Sequence, residues 1–267
     1  MGKRAKAHSL IGRITPRLVM QAFRSVKRNR GAAGVDKVSI RMFSANLTEN
    51  LDALMRDLKS GQFRPKPLRR VHIKDNPRAE KTRALGIPVV RDRVAQEVLR
   101  RLLNPIFEPL FHDASHGFRQ GHNCHLAIEE VLELHRMGYM IVLDADIQGF
   151  FDNLPQSVIM QFVRHYVADG KVLDLLERFL TAGVMEDGVF KPTTVGTPQG
   201  GVISPLLANI VLNHLDWQLD TAGYRFVRYA DDFVVLCHSR REAQEARDFV
   251  QRILEGELGL QLSQEKT

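Results

Sequence analysis

Two aspartates stand side by side in the stretch Y-R-F-V-R-Y-A-D-D-F-V-V-L-C, residues 224–237. Asp231 and Asp232 lie between two apolar runs, each with the composition of a β-strand. An earlier apolar run, Y-M-I-V-L-D-A-D-I, contains Asp144 and Asp146, which strand alternation places on the same face. If that strand neighbours the Asp-Asp ribbon, three or four carboxylates meet on one face of a sheet.

Grouped carboxylates repel one another, and burial between apolar strands increases the repulsion. Protonation relieves it, and so does a divalent cation. Oxygen-rich sites suit Mg²⁺, which takes substrate phosphates as further ligands, and paired ions assist in-line phosphoryl displacement. The acids are therefore typical of a nucleotidyl transferase, and equally of a nuclease. A plain turn at Asp231 and Asp232 is the structural alternative, because Asp is a common turn former.

The charge of the chain is unevenly distributed. Residues 1–101 contain 25 Lys and Arg against 8 Asp and Glu, a net charge of +17, whereas residues 102–267 have a net charge of −10. Such an asymmetry predicts a polyanionic partner for the first part of the chain. A solvated basic surface is the alternative.

The composition is that of a globular protein. Of the 267 residues 44% are hydrophobic and 26% charged, a length that allows one large domain or two small ones. No apolar run approaches the roughly 20 residues that span a bilayer, and the N-terminus has no secretory apolar stretch. Because Cys124 and Cys237 lie far apart, we expect a reduced, cytosolic protein.

Hydrophobic periodicity predicts the elements that position the carboxylates. In the first half we expect a helix over 43–58 that Gly61 ends, a basic β-ribbon over 64–83 and a helix over 91–104. From residue 139 the expected order is strand, helix, helix, two strands, helix, strand. The corresponding stretches are 139–147, 155–167, a helix opened by Ser204, the two strands of the Asp-Asp ribbon, a helix capped by Ser239, and 258–262. This split βαβ order predicts helices on one face of an antiparallel sheet.

Six ordered blocks of sequence resemble those of reverse transcriptases, and a seventh resembles the extra N-terminal block of group II intron-encoded and related bacterial members. The Tyr229–Asp232 stretch, Y-A-D-D, resembles the Y-x-D-D box. The other blocks are N-R-G-A-A-G-V-D (29–36), R-A-L-G-I-P-V-V-R-D-R-V-A-Q (83–96), S-H-G-F-R-Q-G (115–121), D-I-Q-G-F-F-D-N-L (146–154), G-T-P-Q-G-G-V-I-S-P-L-L-A-N (196–209) and L-S-Q-E-K-T (262–267). The likeness runs from about residue 29 to the end, and Ala230 favours the group II intron lineage over retroviral enzymes.

The resemblance implies an α+β fold, the fingers and palm of a right-hand polymerase. Residues 1–138 would form an N-terminal extension and basic fingers, with further fingers elements within 155–200. Residues 139–267 would form the palm with the catalytic carboxylates. The helical thumb and the maturase region of the family would follow Thr267, so we expect them to be missing from this chain.

The resemblance also implies a metal site. Asp146, Asp231 and Asp232 match the family's three catalytic, metal-holding carboxylates, with the backbone carbonyl of Ile147 as a further ligand. They would bind two Mg²⁺ ions, with Mn²⁺ as a substitute. Asp144 matches no ligand position.

For the incoming dNTP the resemblance implies a site formed by Lys74, Arg83, Phe151, Gln199 and Gly200. Lys81 competes with Lys74 for the first role, because the length of the ribbon leaves their alignment open. The ring of Phe151 would clash with a 2′-OH and so favour deoxynucleotides, whereas Phe150 is expected in the core. Gly200 would let the backbone approach the nucleotide closely.

For the template and primer the resemblance implies contacts from Gly117, Phe118, Arg119, Tyr229 and Gly201. Arg119 would bind phosphate, and burial in the core is the alternative for Phe118. A rival zinc site would use the histidines and cysteine at His112, His116, His122, His125 and Cys124, whose spacing fits no standard ligand pattern.

The implied function is that of an RNA-directed DNA polymerase. Its partners would be an RNA template, in particular intron RNA, a DNA or RNA primer, and dNTPs. We expect no association with a membrane. The protein would be found in the bacterial cytoplasm, associated with the nucleoid or with RNA. Two alternatives stay open: an intron RNA-binding maturase that acts as a splicing cofactor, and a defence- or CRISPR-associated reverse transcriptase.

Overall fold

A computed structural model describes residues 6–74, 82–197, 200–263 and 267. Arg83 is described by its backbone alone. Two residues with predicted roles, Lys81 and Gln199, lie outside the described residues.

The described helices largely follow the predicted apolar periodicity. They are α1 Pro16–Asn29, α2 Ile40–Ala45, α3 Leu47–Ser60, α4 Val90–Phe107, α5 Cys124–Arg136, α6 Phe150–Asn153, α7 Gln156–Tyr166, α8 Gly170–Leu180, α9 Ser204–Thr221 and α10 Arg240–Ile253. The predicted helix over 43–58 is divided between α2 and α3 at Asn46, and Gly61 ends α3 in the left-handed conformation, with φ +80°. The side chain of Ser239 accepts a hydrogen bond from the amide of Glu242, which confirms it as the cap of α10.

The described strands form two sheets. They are β1 Leu68–Lys74, β2 Thr82–Ile87, β3 Ile141–Ala145, β4 Val184–Glu186, β5 Val189–Lys191, β6 Arg225–Tyr229 and β7 Asp232–Cys237. One sheet has the order β2-β1-β4-β5, and the other has the order β3-β7-β6.

The chain divides into two compact units. The first unit comprises Met1–Ile106 and Val163–Ser204, and the second comprises Phe107–Phe162 and Pro205–Thr267. Residues 107–138, which the sequence analysis assigned to the fingers, therefore belong to the same unit as the strands with the carboxylates.

The first unit is built on the basic ribbon. β1 and β2 pair in antiparallel register from Arg69 opposite Ile87 to Lys74 opposite Thr82, and β1 also pairs in parallel with β4. The buried face of α4 includes the expected Val94, Val98, Leu99, Leu102 and Leu103. The helix continues past the predicted end at Asn104, through Pro105, to Phe107.

The second unit contains an antiparallel sheet, as the α+β prediction requires. β7 lies between β3 and β6, with Val234 opposite Asp144 and Val227. The predicted strand over 258–262 is wrong in extent. Leu254–Leu258 instead forms a π-helical turn after α10, with Leu254 and Leu258 buried, and Leu262 makes an isolated bridge to Ile147.

Helix α5 packs on one face of the sheet of the second unit. The predicted order of elements around the carboxylates did not include this helix. Its Ala127 packs with Val227 and Leu236, and Val131 lies against the same cluster. The opposite face of the sheet includes Phe233 and Val235, which are buried as well. In the described part of the chain, no helix is long and apolar enough to span a membrane.

Candidate active site

A two-residue turn carries the adjacent aspartates. Tyr229 pairs with Asp232, so Ala230 and Asp231 alone connect β6 to β7. Ala230 has a φ of +62°, the left-handed value that the primed hairpin turns require at their first central position. This conformation is uncommon for a residue other than glycine, and such residues concentrate at functional sites.

Strand pairing brings the third predicted carboxylate to the same place. Ala145, at the end of β3, pairs with Phe233. The same register continued by one residue sets Asp146 opposite Asp232. The neighbourhood of β3 and the hairpin, which the sequence analysis assumed, is thus the observed topology.

The three carboxylates interact electrostatically. Burial raises the pKa of Asp231 above the ordinary value, and the negative charges of Asp232 and Asp146 raise it further. The positive charge of Arg228 opposes this rise. Negative charge is therefore concentrated at the tip of the hairpin, where a cation would stabilise the ionised forms.

The oxygen atoms at this tip are of the type that Mg²⁺ binds, because carboxylate and carbonyl oxygens are its preferred ligands. The bridge between Ile147 and Leu262 uses the carbonyl of Asp146 and the amide of Gln148, and not the Ile147 carbonyl. In residues 6–74, 82–197, 200–263 and 267, no three His, Cys, Asp or Glu side chains are grouped tightly enough to form a metal site by themselves. Coordination here would need carbonyl, water or substrate oxygens as well, which is usual for Mg²⁺.

Comparison with known proteins identifies the family. A family model described as reverse transcriptase (RNA-dependent DNA polymerase) matches residues 72–267. The chain belongs to the reverse transcriptase family. The resemblance in the ordered sequence blocks is thereby confirmed.

Individual relatives of this reverse transcriptase chain include bacterial proteins. Protein YkfC of Escherichia coli (strain K12) is 34% identical over 94% of the chain and 76% of its own length. The group II intron-encoded protein LtrA of Lactococcus lactis is 36% identical over 76% of the chain, but the match spans 33% of LtrA. A solved partial Cas6-RT-Cas1–Cas2 complex matches 92% of the chain and 40% of its own chain, with 25% identity and a TM-score of 0.55.

Within the reverse transcriptase fold, Gly117 packs directly against the hairpin of β6 and β7. A Cβ atom on Gly117 would lie 2.2 Å from the amide nitrogen of Ala230. The preceding residues pair with β6, since the amide of His116 donates to the carbonyl of Arg228 and the amide of Arg228 donates to that of Ala114. The glycine is therefore required for packing against the turn, in addition to any contact with the template.

Phe118 is exposed, so the alternative that it belongs to the core is wrong. Its side chain is 65% accessible and its φ is +57°. A large aromatic ring held at the surface in an uncommon conformation beside Gly117 is available to stack on a base.

Arg119 makes contacts within its own loop. Its guanidinium donates to the carboxylate of Glu108 and to the carbonyls of His112 and Ser115, at 2.6–2.8 Å, and lies over the ring of Phe111. These contacts satisfy the guanidinium of Arg119 with protein groups alone, without a bound phosphate. Binding of the template by Arg119 stays a prediction.

Some residues of the rival zinc site contact each other, and others have partners outside it. His116 lies 2.8 Å from a carboxylate oxygen of Glu130 through Nε2 and 3.2 Å from His122 through Nδ1. The ring of His112 contacts those of Trp217 and Phe226.

The two phenylalanines after Asp146 differ as predicted in their burial. Phe150 is buried and Phe151 is half-buried, with the rings edge-to-face at 5.1 Å. Asp152 lies exposed inside α6, four residues before α7.

Tyr229 lies beside the carboxylates on the α5 face of the sheet. Its side chain is 41% exposed and lines a cavity of about 240 Å³ with Asp144, Asp232 and the α5 residues Ile128 and Leu132. Asp144 is exposed and matches no ligand position, so it serves as a neighbouring carboxylate for comparison.

Four of the predicted substrate residues, Lys74, Arg83, Gly200 and Gly201, belong to the first unit, whereas Phe151 belongs to the second. Lys74 is exposed at the end of β1, and the backbone of Arg83 pairs with Ile73. Gly200 has a φ of +106°, and a Cβ atom there would lie 2.7 Å from the carbonyl oxygen of Gly86. Gly201 is buried. Packing against β2 therefore already requires glycine at position 200. Binding of the nucleotide by Lys74, Arg83 and Gly200, and of the template or primer by Gly201, stays a prediction.

A buried polar cluster lies behind the hairpin, and none of its members was among the residues predicted from the sequence. Arg228 and Asp216 are fully buried and bonded to each other, and Asn209 bonds to Arg228. An Arg within an apolar strand and an Asp and an Asn within an apolar helix were the available signal. Charged residues are almost never fully buried unless they are paired.

Proposed function

We propose that this chain is the catalytic core of an RNA-directed DNA polymerase of the group II intron type, which adds dNTPs to a primer 3′-OH. The convergence of Asp146, Asp231 and Asp232 at one end of the β3-β7-β6 sheet is the observation that carries the proposal. A net charge of +17 over residues 1–101 supports a nucleic-acid partner.

In this proposal the three carboxylates and the Ile147 carbonyl hold the metal ions. Two Mg²⁺ ions, or Mn²⁺ in their place, would supply activation of the primer hydroxyl and neutralisation of the leaving pyrophosphate. The chain itself would hold the carboxylates at the tip of the hairpin, where Asp231 is partly buried.

The remaining site residues are proposed as substrate contacts. Lys74, Arg83, Gln199 and Gly200 would bind the triphosphate, and Phe151 would contact the sugar. Gly117, Phe118, Arg119, Tyr229 and Gly201 would contact the template and primer.

The proposed template is intron RNA, because LtrA is described as a group II intron-encoded protein and shares 36% identity with this chain. The corresponding proposed location is the bacterial cytoplasm, where that RNA is made.

Primer extension on an RNA template with Mg²⁺ and dNTPs tests the proposal. We expect the wild type to extend the primer and Asp231→Ala/Asp232→Ala to lose at least about 10³-fold in rate, since both charges at the reacting centre are removed. Asp144→Ala removes a carboxylate from the same sheet face and should stay within about 10-fold of wild type. Equal activity of the double variant and the wild type would contradict the role of the pair.

A maturase that binds intron RNA as a splicing cofactor is the second candidate. The similarity to LtrA and the basic first part of the chain favour it. If the wild type binds intron RNA tightly and incorporates no nucleotide, this function replaces the polymerase. A defence- or CRISPR-associated role is suggested by the likeness to the Cas6-RT-Cas1–Cas2 structure, and genes for Cas proteins beside this one would support it.

The sugar-selective role of Phe151 has its own test. We expect Phe151→Ala to raise rNTP incorporation relative to dNTP by about 10-fold or more, because the ring no longer meets a 2′-OH. The ratio of kcat/KM for a matched rNTP and dNTP measures this. Asp152→Ala, the exposed neighbour in α6, is the control, and an unchanged ratio in the Phe151 variant would remove the residue from this role.

A further inference from the structure

Among the described residues, Arg228 has the largest side chain that is fully buried. It lies in β6, two residues before Ala230, and none of its surface is accessible. A guanidinium at this depth loses its hydration and needs hydrogen-bond partners and a counter-charge.

The guanidinium has both. Its Nε and Nη2 donate to the two carboxylate oxygens of Asp216 at 2.8 and 2.6 Å, a bidentate pair with α9. Its Nη1 donates to the side-chain oxygen of Asn209 at 2.9 Å and to the backbone carbonyl of Ala230 at 2.6 Å. The planar fork of Arg can reach these three partners at once, and the single ammonium of Lys cannot.

Asn209 extends the cluster to the other side of the turn. Its side-chain amide donates to the carbonyl of Gly117 at 2.9 Å. Gly117 is the residue whose missing Cβ leaves room for Ala230. Arg228, Asp216 and Asn209, which we call the turn cluster, therefore hold both backbone segments that shape the hairpin tip.

Stability alone does not account for this cluster. Replacement of a buried ion pair by apolar residues of similar volume is often neutral or stabilising, since desolvation offsets the attraction. Apolar residues could not donate a hydrogen bond to the Ala230 carbonyl, as Arg228 does. The Ala230 carbonyl belongs to the peptide plane that leads into Asp231, and Ala230 has a positive φ.

We propose that the turn cluster is a positioning device for the carboxylates of the hairpin. By fixing the Ala230 carbonyl and the Gly117 backbone, Arg228, Asp216 and Asn209 set the direction of Asp231 and Asp232, and so govern metal binding. The inference rests on the proposed function for its kinetic readout, but not for its structural one.

The test compares the full chain with Arg228→Met/Asp216→Leu, which removes both charges together. Circular dichroism and thermal unfolding establish folding, amide hydrogen exchange reports on Ala230–Asp232, and calorimetric titration measures Mn²⁺ affinity. We expect a folded variant whose amides at the turn exchange about 10-fold faster and whose Mn²⁺ affinity falls by 10–100-fold, the usual effect of removing outer partners of metal ligands. Primer extension should then need correspondingly more Mg²⁺.

Arg225→Met is the matched control. Arg225 lies on the same strand but is exposed, so its loss should leave exchange, Mn²⁺ affinity and extension unchanged. Arg228→Lys keeps the charge and loses the fork, so it should fold as the wild type does but bind Mn²⁺ as weakly as the double variant.

A folded double variant with wild-type exchange and Mn²⁺ affinity would overturn the proposal. If that variant does not fold, Asn209→Ala decides, because it leaves the ion pair in place and removes the link to Gly117. Unchanged exchange at the turn in Asn209→Ala would also overturn it. A wild type that extends no primer would refute the proposed polymerase function. The exchange measurements would still test whether the turn cluster positions the hairpin.

Discussion

Both units of the molecule bury charged side chains to hold a glycine-containing loop, but they satisfy those charges differently. In the second unit the buried cation Arg228 is paired with the buried anion Asp216. In the first unit Asp92 and Arg93 follow each other on α4 and are 2% and 7% exposed. Asp92 accepts a hydrogen bond from the amide of Lys66 at 2.7 Å.

The loop of the first unit is held through Arg93. Its guanidinium donates to the carbonyls of Arg30 and Ala32 at 3.2 and 2.6 Å. A Cβ atom on Gly31 would lie 2.7 Å from Nη1 of Arg93, so this glycine, like Gly117, marks a close approach.

Because Asp92 and Arg93 are buried without pairing to each other as Arg228 and Asp216 do, their pKa values are shifted. Burial raises the pKa of Asp92 to about 7, and the amide of Lys66 lowers it only in part. Burial also lowers the pKa of Arg93. With its pKa near 7, Asp92 makes the stability of the first unit sensitive to pH near neutrality. In the second unit, the paired charges of Arg228 and Asp216 instead fix the geometry of the hairpin.

The largest effect should come from Gly117→Ala. The new methyl group would meet the backbone of Ala230, which cannot yield without moving the hairpin, so we expect a loss of about 3 kcal/mol or more in the free energy of unfolding. Urea unfolding measures it. Gly256→Ala, where a Cβ atom meets nothing within 4 Å, is the control. Equal stability of the two variants would mean that the second unit does not depend on this contact.

The next effect is a pH dependence in the first unit. The pKa of Asp92 is about 7 in the folded chain and near 3.8 when unfolded, so the folded state binds the proton more tightly. Stability is then greatest at low pH and falls as pH rises to about 7. Between pH 5 and 8 the loss should be about 2–3 kcal/mol, at about 1.4 kcal/mol per pKa unit.

Asp92→Asn tests this dependence. It keeps an acceptor for the Lys66 amide and removes the titration, so its stability relative to wild type should rise between pH 5 and pH 8. Chemical unfolding at both pH values gives the difference. A constant difference would place the pKa of Asp92 near its ordinary value and end the contrast between the units.

The smallest expected effect is that of Arg93→Lys. The ammonium cannot reach the carbonyls of Arg30 and Ala32 together, and we expect a loss of about 1–2 kcal/mol. Arg24→Lys, at an exposed position of α1, should change stability by less than about 0.5 kcal/mol. If the two substitutions are equivalent, the loop at 29–36 is not held by Arg93.

Local patterns in the sequence determined much of the second unit. The apolar runs around Asp231 and Asp232 predicted the hairpin, and alternation along the earlier apolar run placed Asp144 and Asp146 on one face of a strand. The acidic residues of the site were found because a carboxylate in an apolar strand is conspicuous. Helix ends at Gly61 and Ser239 were likewise predictable, since caps depend on neighbouring residues.

Only the tertiary structure decided the roles of the residues that surround the hairpin. Gly117 meets Ala230, and Asn209 bonds to Gly117 across 92 positions of sequence. Contacts between residues so distant in the chain leave no periodic signal in either segment. The assignment of residues 107–138 to the second unit has the same cause, because it depends on which strands α5 covers.

The sequence by itself therefore determined that several carboxylates lie at the ends of apolar strands, because strand alternation and turn chemistry are local. The resemblance to reverse transcriptases then selected Asp146, Asp231 and Asp232 among them. The tertiary structure decided what holds those carboxylates in place, because a buried charge such as Arg228 becomes meaningful only with its partners around it.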